Sequence, residues 1–118
     1  VSSGFVFATA HGADDIELSH WASLAGSGLT LGLYMGKSIA SGVASNLMAH
    51  GLSGALPVGI VVNAGRADKS LYAGTLGGLA SGEVAFADGP AIIFIGEAVA
   101  HGDWARADQF AAQEFKVA

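Results

Sequence analysis

The sequence predicts an α/β domain whose mixed sheet of about five strands is flanked by helices. Five apolar runs alternate at period two or are rich in β-branched residues, as strands are. One of these runs passes through a glycine into a stretch with an apolar helical stripe, which is the strand-to-helix unit of α/β sheets. A chain of 118 residues is long enough to form one hydrophobic core, so we expect a single domain.

The strand-to-helix unit at residues 29–51 is the centre of this prediction. Leucines and a methionine alternate with other residues up to Met35, which predicts a strand that ends at Gly36. Apolar residues then recur every four positions and predict a helix that Ser38 caps and His50-Gly51 ends. Ligands of α/β sheets bind at the carboxyl ends of strands. Met35 is therefore the first residue that we expect to contact a ligand.

The remaining elements follow in chain order. Residues 5–10 predict the first strand, and residues 13–20 predict a polar loop before a short helix at 21–25. Residues 57–62 and 70–76 predict a hairpin, 77–82 a loose segment, and 91–95 a further strand. Asp103 is placed to cap a C-terminal helix over 104–115. Three apolar strands end in small residues, at Gly36, at Ala64-Gly65 and at Gly96.

Charge is scarce in this chain. Charged residues make up 13% of it, against about 25% in typical domains, and positions 38–65 contain no Asp, Glu, Lys or Arg. A freely solvated surface rarely lacks charge over so long a stretch. We therefore expect a partner domain or subunit to cover part of the surface.

Several function classes are disfavoured by composition. The mean hydropathy is +0.51, but polar residues interrupt every run long enough to span a membrane. A net charge of −5 without basic clusters argues against nucleic acid. No glycine-rich nucleotide motif occurs, and the absence of cysteine excludes thiolate sites. A cluster of His11, Asp14, Asp15 and His20 matches no ligand spacing, so we expect no metal site.

Five blocks of the sequence form a pattern, namely Tyr34-Met35-Gly36, Met48-Ala49-His50-Gly51, and residues 56–64, 74–76 and 90–97. Together these blocks resemble the tetrapyrrole methylase family, in particular the C-terminal half of uroporphyrinogen-III C-methyltransferases and of the siroheme synthase methylase module. Their order and spacing match over residues 1–97. The resemblance implies that residues 1–118 form the C-terminal domain, and that the N-terminal domain with the glycine-rich cofactor loop is missing from this chain.

The resemblance also implies an activity and a site. The family transfers methyl groups from S-adenosylmethionine to two pyrrole carbons of uroporphyrinogen III, which gives precorrin-2 for siroheme and cobalamin synthesis. Met35, Ala64 and Ala91 match the cofactor contacts of the family, and Tyr34 and His11 are expected to face the substrate cleft. No catalytic acid or base is assigned, because methyl transfer from a sulfonium depends mainly on positioning.

Two functions remain as hypotheses at this point. In the first, the chain is part of a methyltransferase, inactive alone, that works in the cytoplasm as a homodimer with its missing half. In the second, the domain is a dimerisation or metabolite-binding module derived from such an enzyme. Binding of S-adenosylmethionine by the isolated domain favours the second hypothesis, and binding by the full chain only favours the first.

Overall fold

A mixed six-stranded sheet with the order β1-β2-β5-β3-β4-β6 forms the frame of the molecule. The computed structural model describes residues 4–82, 89–101 and 108–109. The strands are β1 (Phe5–Thr9), β2 (Thr30–Met35), β3 (Pro57–Val62), β4 (Ser70–Thr75), β5 (Ala91–Ile95) and β6 (Asp108–Gln109). The helices are α1 (Asp15–Gly26), α2 (Lys37–Ala49) and α3 (Leu76–Ala80), and a 3₁₀ helix covers Glu97–His101. The predicted mixed α/β fold is confirmed, with one additional strand of two residues.

Strand directions follow from the pairing. β1 and β2 are parallel, β2 and β3 each pair antiparallel with β5, and β3 pairs antiparallel with β4. β1, β2 and β3 therefore run in one direction, and β4 and β5 run in the other. β5 is the latest of the long strands in the chain, yet it lies in the middle of the sheet between β2 and β3.

The hydrophobic core lies between the sheet and helices α1, α2 and α3. Alternate residues of the central strands are fully enclosed there, among them Leu33 of β2, Ile60 of β3 and Ile93 of β5. Helix α1 contributes Trp21, and α2 contributes Leu47. Each such side chain stabilises the fold by about 1.5–3 kcal/mol through burial.

The opposite face of the sheet carries aromatic side chains. Phe5 and Phe7 are 59% and 60% exposed, and their rings stack with centroids 6.0 Å apart. The Phe7 ring also meets Phe94 edge to face at 6.3 Å. Phe7 lies over Gly32, where an added Cβ would approach its ring to 2.6 Å. A glycine in the middle of β2 is therefore what lets this ring approach the strand closely.

Helix α1 begins earlier than the sequence predicts. The expected loop at 13–20 is wrong, because α1 starts at Asp15 behind a capping box. Asp14 Oδ1 accepts from the Glu17 backbone N–H at 2.8 Å, and the Asp14 N–H donates to Glu17 Oε1 at 3.4 Å. The acidic residues that were expected in a loop thus form the first turn of the helix, and Leu18 is the first residue of the buried face of α1.

Three further predictions are wrong in detail. Gly36, not Ser38, is the N-cap of α2, and no side chain makes a capping hydrogen bond there. Leu76, predicted as the end of a strand, and residues 77–80 of the expected loose segment form α3, because Thr75 accepts from the Gly78 N–H at 3.1 Å and starts a helical turn. The predicted C-terminal helix is contradicted at Asp108–Gln109, which form β6, and the rest of that helix lies outside the described residues.

Candidate functional site

The carboxyl ends of β1, β2 and β3 meet at one edge of the sheet, and β5 begins at this same edge. Met35 at the end of β2 and Val62 at the end of β3 both pair with Ala91, the first residue of β5. Thr9 at the end of β1 pairs with Tyr34. Two of the three predicted cofactor contacts, Met35 and Ala91, are therefore direct neighbours in the sheet.

An open cavity of about 280 Å³ lies at this edge. Its lining contains four of the five predicted site residues, namely His11, Tyr34, Met35 and Ala91. The other lining residues are Thr9, Gly36 and Pro90. Small-molecule sites usually enclose about 300–1,000 Å³, so this cavity has the size of part of a site.

Met35 and Tyr34 reach the cavity from opposite faces of the sheet. The Met35 side chain belongs to the core on the helical face and is 5% exposed, whereas Tyr34 on the aromatic face is 50% exposed. Consecutive strand residues point to opposite sides, and only at the end of a strand can both border one cavity. Gly36, whose missing side chain would meet nothing within 4 Å, keeps the mouth of the cavity open between them.

Ala64 lies beside the cavity, outside its lining. It is exposed on the turn that follows β3, and the preceding Asn63 donates its backbone N–H to the Pro90 carbonyl at 2.9 Å. Pro90 itself lines the cavity. The turn that carries Ala64 is thus attached to the cavity wall, and a ligand larger than the cavity would extend over it.

Gly96, expected as a third small strand end, lies at the other edge of the sheet. Its N–H donates to the carbonyl of Pro57, the first residue of β3, at 3.0 Å. This position follows from the antiparallel direction of β5, which brings the start of that strand to the cavity and its end away from it. The third strand end at the cavity is instead that of β1, where Thr9 and His11 line the cavity.

The described residues that line the cavity carry no carboxylate, ammonium or guanidinium group. Its polar side chains are those of Thr9, His11 and Tyr34. In the ranges 4–82, 89–101 and 108–109, no three histidine or acidic residues come together in a way that could hold a metal ion. The same ranges contain no helix with the length and apolar character that a membrane span requires. Such a lining recognises a ligand by shape and by a few hydrogen bonds.

Sequence reasoning missed Asn63, Pro90 and Thr9 as residues of this edge. Asn63 has a positive φ of 56°, and asparagine is one of the few residues that adopts this conformation readily. An asparagine followed by small residues at a strand end was the available signal. Pro90 and Thr9 carry no such signal, because only the strand order brings them together.

Comparison with known proteins agrees with this architecture. The family model of the tetrapyrrole (corrin/porphyrin) methylases matches residues 2–80. The chain belongs to this family. Siroheme synthase 1 of Cronobacter sakazakii is 36% identical over 96 residues, and siroheme synthase of Actinobacillus succinogenes is 39% identical over 98 residues. Each alignment covers 80% of this chain, which spans about a fifth (20%) of the length of these methylase relatives.

A solved structure shows the same tetrapyrrole methylase fold. Uroporphyrin-III C-methyl transferase from Thermus thermophilus, complexed with S-adenyl homocysteine, superposes with a TM-score of 0.71 at 23% identity. The match covers 86% of this chain and 45% of that protein. Its native form superposes with a TM-score of 0.69. The sheet and helices described here are therefore those of a methylase domain.

Proposed function

We propose that this chain is the C-terminal domain, residues 1–118, of an S-adenosylmethionine-dependent uroporphyrinogen-III C-methyltransferase. The observation that carries the proposal is the cavity at the carboxyl edge, where His11, Tyr34, Met35 and Ala91 meet. Family membership and relatives that are siroheme synthases support the choice of a methyltransferase acting on a tetrapyrrole. The reaction product would be precorrin-2, which serves siroheme and cobalamin synthesis.

The cavity fits one part of a methyl donor. Met35 and Ala91 offer an apolar wall, and a sulfonium nucleoside of ordinary size exceeds about 280 Å³ of open space. We propose that Ala64 extends this wall and that a missing N-terminal domain supplies the opposite one. Small side chains suit such a wall, because they let backbone groups approach a ligand closely.

The residues of this domain would act by positioning. When bound, the donor would supply a methyl group on positively charged sulfur, and the S–CH₃ electron pair would stay on sulfur. The pyrrole ring would provide the electron pair of the new C–C bond and would then release its N–H proton to solvent. Holding carbon and methyl in line is worth several powers of ten in rate. Met35, Ala64 and Ala91 would fix the donor, and Tyr34 and His11, which border the same cavity, would orient the macrocycle.

Surface composition supports a covered domain in a larger assembly. After Lys37 at its first position, α2 exposes only uncharged residues, namely Ser38, Gly42, Ser45, Asn46 and Ala49. We propose that a second copy of the chain or its missing half covers this face, with a homodimer as the assembly. A cytoplasmic location is proposed because a cysteine-free chain suits a reducing compartment.

A methylation assay tests the proposal. The full-length polypeptide that contains these residues is incubated with uroporphyrinogen III and S-adenosylmethionine, and the product is read by mass spectrometry. We expect a gain of two methyl groups, and no gain with the 118-residue fragment alone. No gain on uroporphyrinogen III, together with a gain on a later precorrin, would assign a different tetrapyrrole substrate. No gain on any tetrapyrrole would reject the enzyme assignment.

A further inference from the structure

Asn63 has an unusual backbone at the end of β3. Among residues 4–82, 89–101 and 108–109, it is the non-glycine residue with a positive φ, at 56°. It is also only 6% exposed. A left-handed conformation costs about 1–2 kcal/mol for most residues, and asparagine lowers this cost through local hydrogen bonds. A buried residue in this conformation is one whose surroundings hold it there.

The Asn63 side chain forms a hydrogen bond within the turn that follows it. Its Nδ2 donates to Asp68 Oδ2 at 3.2 Å, and Asp68 Oδ1 forms an exposed ion pair with Arg66 Nε at 3.3 Å. The Asn63 carbonyl accepts from the Arg66 backbone N–H at 3.0 Å. The turn that carries Ala64 is therefore closed by side-chain and backbone bonds that both start at Asn63.

The same residue is also attached to the start of β5. The Asn63 N–H donates to the Pro90 carbonyl at 2.9 Å, one residue before Ala91. Gly89 lies directly against the Asn63 amide, where a Cβ would overlap Oδ1 and the amide carbon. Gly89 also has a φ of 129°, which a side chain would strain. The amide of Asn63 thus fills the space between the turn and the beginning of β5.

We propose that Asn63 is a positioning residue of the donor site, which fixes the Ala64 turn relative to Pro90 and Ala91. The inference rests on the proposed function, since it assumes that a sulfonium nucleoside binds at this edge. Asn63 does not line the cavity, so it acts through the backbone of its neighbours. Loss of the Asn63 hydrogen bonds would let Ala64 move away from the wall formed by Met35 and Ala91.

A reciprocal exchange of hydrogen-bond partners tests this role in the full-length polypeptide. Asn63→Asp places two carboxylates opposite each other at about the present distance of 3.2 Å, which is repulsive. Adding Asp68→Asn restores a donor and an acceptor with reversed roles. Both variants are compared with Asp68→Asn alone, because that change also removes the negative charge that pairs with Arg66. Ser23→Asp, on the exposed side of α1, is the control for the added charge.

Calorimetry with S-adenosylhomocysteine provides the first readout. We expect Asn63→Asp to raise its dissociation constant about tenfold, and the double variant to return within about threefold of Asp68→Asn. Ser23→Asp should bind as the wild type does. The KM for S-adenosylmethionine should rise in Asn63→Asp while the KM for the tetrapyrrole stays unchanged, a split that a loss of stability alone would not produce.

A second variant, Asn63→Gly, keeps the test decisive if Asn63→Asp folds poorly. Asn63→Gly keeps the positive φ and removes only the amide, so it should fold and show the same rise in KM for the donor. Unchanged donor affinity in both Asn63 variants would overturn the positioning role while leaving the proposed function intact. Absence of S-adenosylhomocysteine binding by the wild type would overturn the proposed function, and this inference with it.

Discussion

Replacing Met35 with alanine separates cofactor binding from core packing more clearly than any other change at the cavity. The Met35 side chain is 5% exposed and divides its contacts between the core and the cavity. Leu33 lies two residues earlier on the same face of β2, is fully buried, and does not line the cavity. The pair therefore differs in proximity to the cavity more than in chemistry.

The expected magnitudes follow from these surroundings. Leu33→Ala leaves a closed void and should destabilise the domain by about 3–5 kcal/mol. Met35→Ala enlarges a space already open to solvent, so we expect the lower end of the range, about 2 kcal/mol. Full burial of a methionine is worth about 1.5–3 kcal/mol. Most of this burial is already made without the donor, since Met35 is 5% exposed. Met35→Ala therefore acts on donor binding through the void it leaves in the wall, which at about 1 kcal/mol weakens binding about fivefold.

The assay combines two measurements on the full-length polypeptide. Urea titrations rank the unfolding midpoints, and calorimetry with S-adenosylhomocysteine is performed under conditions where each variant is folded. Met35→Leu, which nearly conserves volume, should lose less than about 1.5 kcal/mol and bind almost normally. Leu33→Ala should unfold first and still bind as the wild type does. Equal losses of affinity in Leu33→Ala and Met35→Ala would refute a specific contact at Met35.

Three further predictions concern the turn after β3 and helix α1. Ala64→Phe should obstruct the site and weaken donor binding at least about a hundredfold, whereas Ala67→Phe on the same exposed turn should leave donor binding unchanged. Each variant should change the free energy of unfolding by less than about 0.5 kcal/mol. Equal donor binding by the two variants would contradict a role for Ala64 at the site. Asp14→Ala should cost about 1 kcal/mol in urea unfolding through loss of the helix cap, while Asp14→Asn retains most of it. His50 Nε2 lies 2.9 Å from Asp15 Oδ1 on an exposed surface, and a double-mutant cycle should give a coupling below about 1 kcal/mol; a larger value would mean that this pair holds α1 and α2 together.

Local pattern was sufficient for most of the strands. The five runs predicted as strands are strands, because period-two alternation and β-branched composition are properties of the segment itself. Helix boundaries were predicted less well. Asp15–His20 carries polar residues that suit a loop as much as an exposed first turn, and only the capping box of Asp14 and Glu17 distinguishes them.

The site residues also divide into those that the sequence predicted and those that only the structure revealed. Met35 was identified from its place at a strand end, and Ala91, Tyr34 and His11 from the resemblance to the methylases; all four line one cavity. Their roles as cofactor and substrate contacts stay predictions, as does that of Ala64. Asn63 was overlooked because its contribution depends on a hydrogen bond to Pro90 and on the position of Asp68, which no single segment contains.

The sequence by itself determined which segments are strands, where most of them end, and to which family the cavity residues correspond. The tertiary structure decided that β5 enters between β2 and β3 in the opposite direction. This insertion brings Ala91 to Met35 and sends Gly96 to the far edge. Strand order and direction depend on contacts between segments far apart in the chain, which local composition does not encode.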